Sequence, residues 1–158
     1  MEFCIRAAEL EQGAECEVIL RSLPEWFGIE SALKAYVDRV DRLPTYLVLA
    51  DERVVGFLSV EKHFSESAEI HVMGILPEFH RIGIGRALLK KAESDLVTQG
   101  VKFLQVKTLS QSNPDKNYAK TREFYLSMGF MPLEEMPELW GAENPCLILI
   151  KGLEFIKD

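Results

Sequence analysis

Residues 67–109 constrain the fold more than any other part of the chain. "SAEIHVMGILP" reads as a strand closed by Pro77, and "HRIGIG" as a glycine-rich turn. "RALLKKAESDLVTQG" reads as an amphipathic helix stopped by Gly100, and "VKFLQVKTL" as a second strand. A strand that leaves through a helix and returns as a strand comes back parallel to its start, because a hairpin cannot make that connection. The chain must therefore build a sheet with at least one parallel pair.

The flanking segments supply antiparallel neighbours. "TYLVLADERVVGFLSVEKH" is a hairpin, two β-branched and aromatic runs turning at "DER". Ahead of it, "FCIRAA" reads as a short strand, and residues 9–23 as a helix with Ala14, Val18 and Ile19 at helical spacing, stopped by Pro24. "PEWFGIES" is a loop, and Ser31 caps a second helix whose apolar face is Leu33, Tyr36, Val37 and Val40. After the crossover come a polar loop, "QSNPDKN", a short helix, "YAKTREFYLSM", and the strands "GFMPLEEM" and "NPCLILIKG". With no repeat or linker, residues 1–158 read as one α/β domain on a mixed, twisted sheet flanked by helices.

Charge narrows the partners. The 25 acidic residues against 18 basic ones give −7, which disfavours nucleic acid and anionic membrane surfaces. Cys4, Cys16 and Cys146 are odd in number and scattered, with neither a disulfide framework nor a metal-site spacing, so no metal is expected. The opening residues turn acidic at once and lack the apolar core of a signal peptide, and "CLILI" is too short to span a bilayer. The expectation is a cytoplasmic protein; the strand-rich C-terminal segment leaves a homodimer open.

An anion site must then be built locally, and "HRIGIGRALL" is the place for it. No lysine follows Gly85, so a Walker loop fails; position 88 is Leu, so a dinucleotide fingerprint is incomplete. What remains is a basic or polar residue, two others, then Gly-x-Gly, opening a long helix. A helix start has unpaired amides and the positive end of the macrodipole. Gly83 and Gly85 let a phosphate approach the main chain without meeting a Cβ, and Arg81 and Arg86 add charge at the rim. The bland alternative is a glycine turn capping a helix beside solvated arginines.

This arrangement resembles the GNAT superfamily of acyl-CoA-dependent N-acyltransferases. The similarity runs from the hairpin near Tyr46 to "NPCLILIK" and is densest from Glu69 to Phe130. "HRIGIG" matches the family's Gln/Arg-x-x-Gly-x-Gly/Ala, with His80 in place of Gln or Arg, and "FYLSMGF" matches its Phe-Tyr-x-x-x-Gly-Phe. The resemblance implies a mostly antiparallel sheet splayed between strands four and five. It implies that amides from Arg81 through Ile82, Gly83, Ile84 and Gly85 to Arg86 hold the coenzyme A pyrophosphate. Main-chain groups near Met73 and Ile75 would bond the pantetheine arm and acetyl carbonyl. Many relatives carry Asn where Tyr118 stands; Asn113 or Asn117 would then substitute from the loop. Acetyl-CoA and an amine acceptor are the implied partners.

Acetyl transfer to an amine needs a base, since an alkyl ammonium with a pKa of ~10.4 is protonated at neutral pH. Period two puts Glu69, His71 and Met73 on one strand face and Ile70, Val72 and Gly74 on the other. Glu69 also matches where some GNAT members keep a base carboxylate, with His71 as second candidate; either acts directly or through water. The alternatives are an exposed strand carboxylate and a hydrogen-bonded structural histidine. Tyr118, Thr121, Arg122 and Tyr125 share one helical side, and resembling enzymes use a tyrosine at Tyr125 to protonate the departing sulfur. The alternative for Tyr125 is a packed aromatic beside Phe124 and Phe130. Trp26, Phe27 and Trp140 either line an acceptor pocket, with Glu25, Glu134, Glu135 or Glu138 meeting a cation, or simply close the core. Since no cysteine lies in the matching motifs, transfer is expected to be direct. A non-catalytic acyl-CoA sensor and a dinucleotide-binding protein are the rival functions.

Overall fold

The computed structural model describes residues 2–153. Its elements run β1 (Cys4–Glu9), α1 (Gly13–Arg21), α2 (Glu30–Val40), β2 (Thr45–Ala50), β3 (Arg53–Phe64) and β4 (Ser67–Ile75). A 3-10 turn (Pro77–Phe79) follows, then α3 (Ile84–Thr98), β5 (Phe103–Leu109), α4 (Lys116–Ser127), β6 (Met131–Met136) and β7 (Cys146–Gly152). The strands form a seven-stranded sheet in the order β1-β2-β3-β4-β5-β7-β6. Its parallel pair is β4 with β5, as the crossover requires, and the other pairings are antiparallel.

Two compact units divide the chain. The first takes in the chain up to Glu61 together with His71–Leu96. Its centre is the β2–β3 hairpin, where Tyr46, Leu47, Val48, Val55, Phe57 and Leu58 are all buried. The hairpin turns at Asp51 and Glu52, both left-handed at φ 50° and 66°, the pair of positive φ values that matches a two-residue turn to strand twist. Arg53 already belongs to β3, so the turn is one residue shorter than "DER" suggests. On α1 the buried stripe is Cys16, Ile19 and Leu20, while Val18 is 67% exposed. The helix is thus rotated from the Ala14, Val18, Ile19 face expected of it. Asp41, just past α2, accepts from the Gly13 amide at 2.7 Å and so caps α1. A Cβ on Gly13 would stand 2.6 Å from that carboxylate oxygen. α3 buries Ile84, Leu88, Leu89, Ala92 and Leu96, each large aliphatic side chain contributing about 2 kcal/mol of transfer free energy. The Tyr46 hydroxyl donates to Asp95 on α3 at 2.8 Å, tying helix to hairpin.

The second unit takes in Lys62–Ile70 and the chain from Val97 on. Its β4–β5 ladder runs from Ser67↔Phe103 to Ile70↔Val106, whereas β4 itself continues to Ile75. β5 pairs along its whole length with β7, from Phe103↔Gly152 to Leu109↔Cys146. Asp115 caps α4, accepting from the amides of Asn117 at 2.8 Å and Tyr118 at 3.1 Å. Gly129 follows α4 at φ 97°, the left-handed exit that glycine permits. β6 is a sheet edge, exposed from Met131 to Glu135. Among the described residues, no helix is long and apolar enough to cross a membrane.

Candidate active site

The glycine turn is built on main-chain geometry. Arg81 stands at φ 63°, costly for a residue with a Cβ, and Gly83 at φ 91° with nothing within 4 Å of where a Cβ would point. α3 starts at once, the Gly83 carbonyl accepting from Ala87 at 3.1 Å. Amides in the first turn of a helix have no carbonyl ahead of them to bond, and at Gly83 no protein atom fills the space beside the main chain. That opening fits a phosphate held against the backbone. Arg81, Ile82 and Arg86 are exposed, whereas the Ile84 side chain is buried in the core, so Ile84 offers only its amide.

His80 does something other than extend the rim. Its Nε2 donates to the Ile75 carbonyl at 2.6 Å, and Trp26 meets the ring edge-on with centroids 6.4 Å apart. The imidazole thus staples the turn to the end of β4. Close packing continues beneath, where a Cβ on Gly56 would lie 3.3 Å from Ile75 and 3.6 Å from Ile84. Met73 and Ile75 are half-buried. Phe27 packs edge-on to Tyr36 at 5.6 Å, and Tyr36 lies 5.5 Å from His71, so His71 sits in an aromatic row.

Glu69 breaks the alternation along β4. It is only 7% exposed, so the exposed-carboxylate reading of this residue is overturned. Lys107 donates to both carboxylate oxygens at 3.1 and 3.2 Å, and Gln105 Nε2 donates to Oε1 at 3.2 Å. His63 Nε2 lies 2.8 Å from the same Oε1. A buried carboxylate is tolerable because these partners compensate its lost hydration. Beside the cluster is a cavity of about 380 Å³ lined by His63, Phe64, Ser67, Ala68, Gln105, Lys107 and Ile150. Sequence reasoning missed His63, Gln105 and Lys107. The legible signal was two long polar side chains, Gln105 and Lys107, at period two on one face of the strand "FLQVKTL".

Tyr125 is buried, with ring centroids 5.2 Å from Phe124 and 5.4 Å from Phe130. Burial pushes its phenol well above the ordinary tyrosine range, so it stays protonated. On the same helix, Arg122 Nη1 donates to the Leu109 carbonyl at 2.7 Å. Tyr118 is half-buried. Asn113 is committed locally at both ends: Oδ1 accepts from the Asp115 amide at 3.0 Å, and Nδ2 donates to the Glu143 carbonyl at 3.2 Å. Its side chain shapes the loop, which leaves little of it for the pantetheine role expected.

The aromatic residues assigned to an acceptor wall differ in setting. Trp26 and Phe27 are half-buried, while Trp140 is 42% exposed. Glu25, Glu134 and Glu138 are exposed, but Glu135 is occupied: Ser110 and Ser112 both donate to it, the latter at 2.7 Å. Those hydrogen bonds, Ser110 foremost, hold its carboxyl below the usual range. Cys16 and Cys146 are buried and Cys4 exposed. Burial raises both buried thiols, which keeps them from acting as thiolates.

A family model of the acetyltransferase (GNAT) domain matches residues 42–132, more than half of the chain. An uncharacterised N-acetyltransferase of Chlorobaculum tepidum is 29% identical over 134 residues, covering 84% of this chain and 77% of that one. Among solved structures, a protein assigned to the GNAT acetyltransferases in Desulfovibrio desulfuricans superposes with a TM-score of 0.83 at 18% identity, covering 97% of this chain and all of its own. A GNAT acetyltransferase of Elizabethkingia anophelis, solved with acetyl-CoA bound, gives 0.73 at 16% identity, covering 96% of this chain and 98% of that one. With its parallel β4–β5 pair, its glycine turn opening α3 and its matched sequence, the chain belongs to the GNAT superfamily of acetyltransferases.

Proposed function

We propose that the protein is an N-acetyltransferase that moves an acetyl group from acetyl-CoA directly to a primary amine of a small molecule or peptide. The observation that carries this reading is the turn at residues 81–86. A left-handed arginine, a left-handed glycine open to solvent and a helix start are set in succession. That succession is costly as a plain cap, and it suits a diphosphate bound by main-chain nitrogen. Acetyl-CoA supplies the activated acetyl as a thioester. The chain's residues have to orient it, accept a proton from the amine and return one to the departing sulfur.

Tyr125 is the proposed donor to that sulfur, and what supports it is a phenol that burial keeps protonated. Direct transfer is supported by the buried, high-pKa thiols of Cys16 and Cys146. Backbone amide NMR during titration with acetyl-CoA tests the reading. Gly83, Ile84 and Gly85 are expected to shift, with NAD leaving them in place, and free thiol is expected when an amine is added. Unmoved signals at saturating acetyl-CoA would refute it. Binding without thiol release across many amines would instead favour a non-catalytic acyl-CoA sensor.

A further inference from the structure

Glu69 has four contacts from three partners, about as many as a carboxylate can accept. Three of these contacts fall on Oε1 and one on Oε2, and the carboxylate is buried, whereas the histidine that touches it is open to the cavity. The geometry points to the next group out: we infer that His63 is the residue that takes the proton from the acceptor amine, with Glu69 as the positioning residue that orients its ring. This rests on the reading under Proposed function.

The tautomer follows from the contact. An ionised carboxylate only accepts, so at 2.8 Å from Glu69 Oε1 the His63 Nε2 must carry hydrogen. In the neutral imidazole the other nitrogen, Nδ1, is then the acceptor, and it has no partner among the described residues. The ring has 34% of its side chain exposed and lines the cavity of about 380 Å³, so the basic nitrogen belongs to a group in contact with solvent while its orienter is buried. A base within reach of substrate, fixed by a hydrogen-bonded carboxylate behind it, is the arrangement general-base catalysis needs. Other charges near the ring are accounted for. Lys107 is held by Glu69, and Glu61, on the histidine's own strand, is paired with Arg39. Phe64, Ala68 and Ile150 offer the cavity's apolar surface to the body of the amine.

Two protons leave the acceptor ammonium in the reaction. One passes to Nδ1, leaving an electron pair on nitrogen that forms the C–N bond as the C–S bond breaks. Tyr125 gives its phenolic proton to the departing sulfur, which leaves as a thiol, and the second proton, lost from nitrogen once the C–N bond has formed, restores the phenol. His63 then returns its proton to solvent.

The test uses the full chain with acetyl-CoA and three probe amines: benzylamine, spermidine and an alanine-initiated tetrapeptide. His63→Ala is expected to lower kcat/KM for thiol release by about a hundredfold or more, with acetyl-CoA affinity kept and part of the rate restored by added imidazole. Nitrogen-15 spectra should show the His63 Nε2–H tautomer in the native chain and a mixture in Glu69→Gln, a readout independent of turnover. Native-like thiol release by His63→Ala, or a mixed tautomer in the native chain, overturns this inference and leaves the acetyltransferase reading standing. Rate loss without rescue and with loss of acetyl-CoA binding marks a structural role and also overturns it. No thiol release by the native chain with any of the three amines overturns both.

Discussion

Gly83 shows how much one missing Cβ can decide. Its φ of 91° is natural for glycine and costs a side chain roughly 1–2 kcal/mol, and the space a side chain would fill is empty of protein. Gly83→Val is expected to leave the core intact while weakening acetyl-CoA binding at least tenfold, measured by calorimetry; unchanged affinity would move the phosphate site elsewhere. Tyr125 makes the complementary case, a residue whose packing and proposed chemistry coincide. Tyr125→Phe keeps both ring contacts and removes only the hydroxyl. Turnover should fall about ten- to a hundredfold with melting temperature and coenzyme affinity preserved. Native turnover in a folded variant would leave Tyr125 as packing alone.

At the scale of elements, the strands and the glycine-terminated helices were legible because hydrophobic period and turn chemistry are local. Gly100 and Gly129 both follow their helices at positive φ, where the sequence put the stops. Helix starts were read less well. Ser31 was expected to cap α2, yet the helix begins at Glu30 after an extended Ile29 that makes no side-chain cap. Arg21 from α1 grips Glu30 at 2.6 Å, and the buried Leu33 anchors the first turns, so tertiary contact set the boundary where a cap was predicted. The same limit hid the Glu69 cluster. Its partners come from β3 and β5, and no local pattern couples residue 69 to residues 63, 105 and 107. α4 starts on the side chain of its own N-cap residue, Asp115. Asp115→Ala should destabilise the protein by about 1 kcal/mol, lowering the melting temperature by roughly 2–4 °C for a chain of this size. An unchanged melting curve would show that packing alone holds α4.

For the molecule as a whole, the net charge of −7 lets exposed carboxylates shape its response to acid. Glu135 is held below the usual range by the Ser110 and Ser112 hydroxyls, and Glu30 by its hydrogen bonds to Arg21. A carboxyl whose folded pKa is depressed contributes its full stability above the unfolded value, near ~4.3. That contribution is lost as pH falls from there through the lower folded pKa. The melting temperatures of the native chain and Glu135→Gln should therefore differ near neutrality and converge in acid; a gap that persists at the lowest pH would assign the effect to something other than charge. The turn at residues 81–86 has a practical consequence as well. Where recognition is by peptide nitrogen, trimming side chains leaves the donors in place. An alanine scan across the exposed positions would report mostly silence from the groups that matter, and only substitutions that add atoms or remove an amide would reveal them.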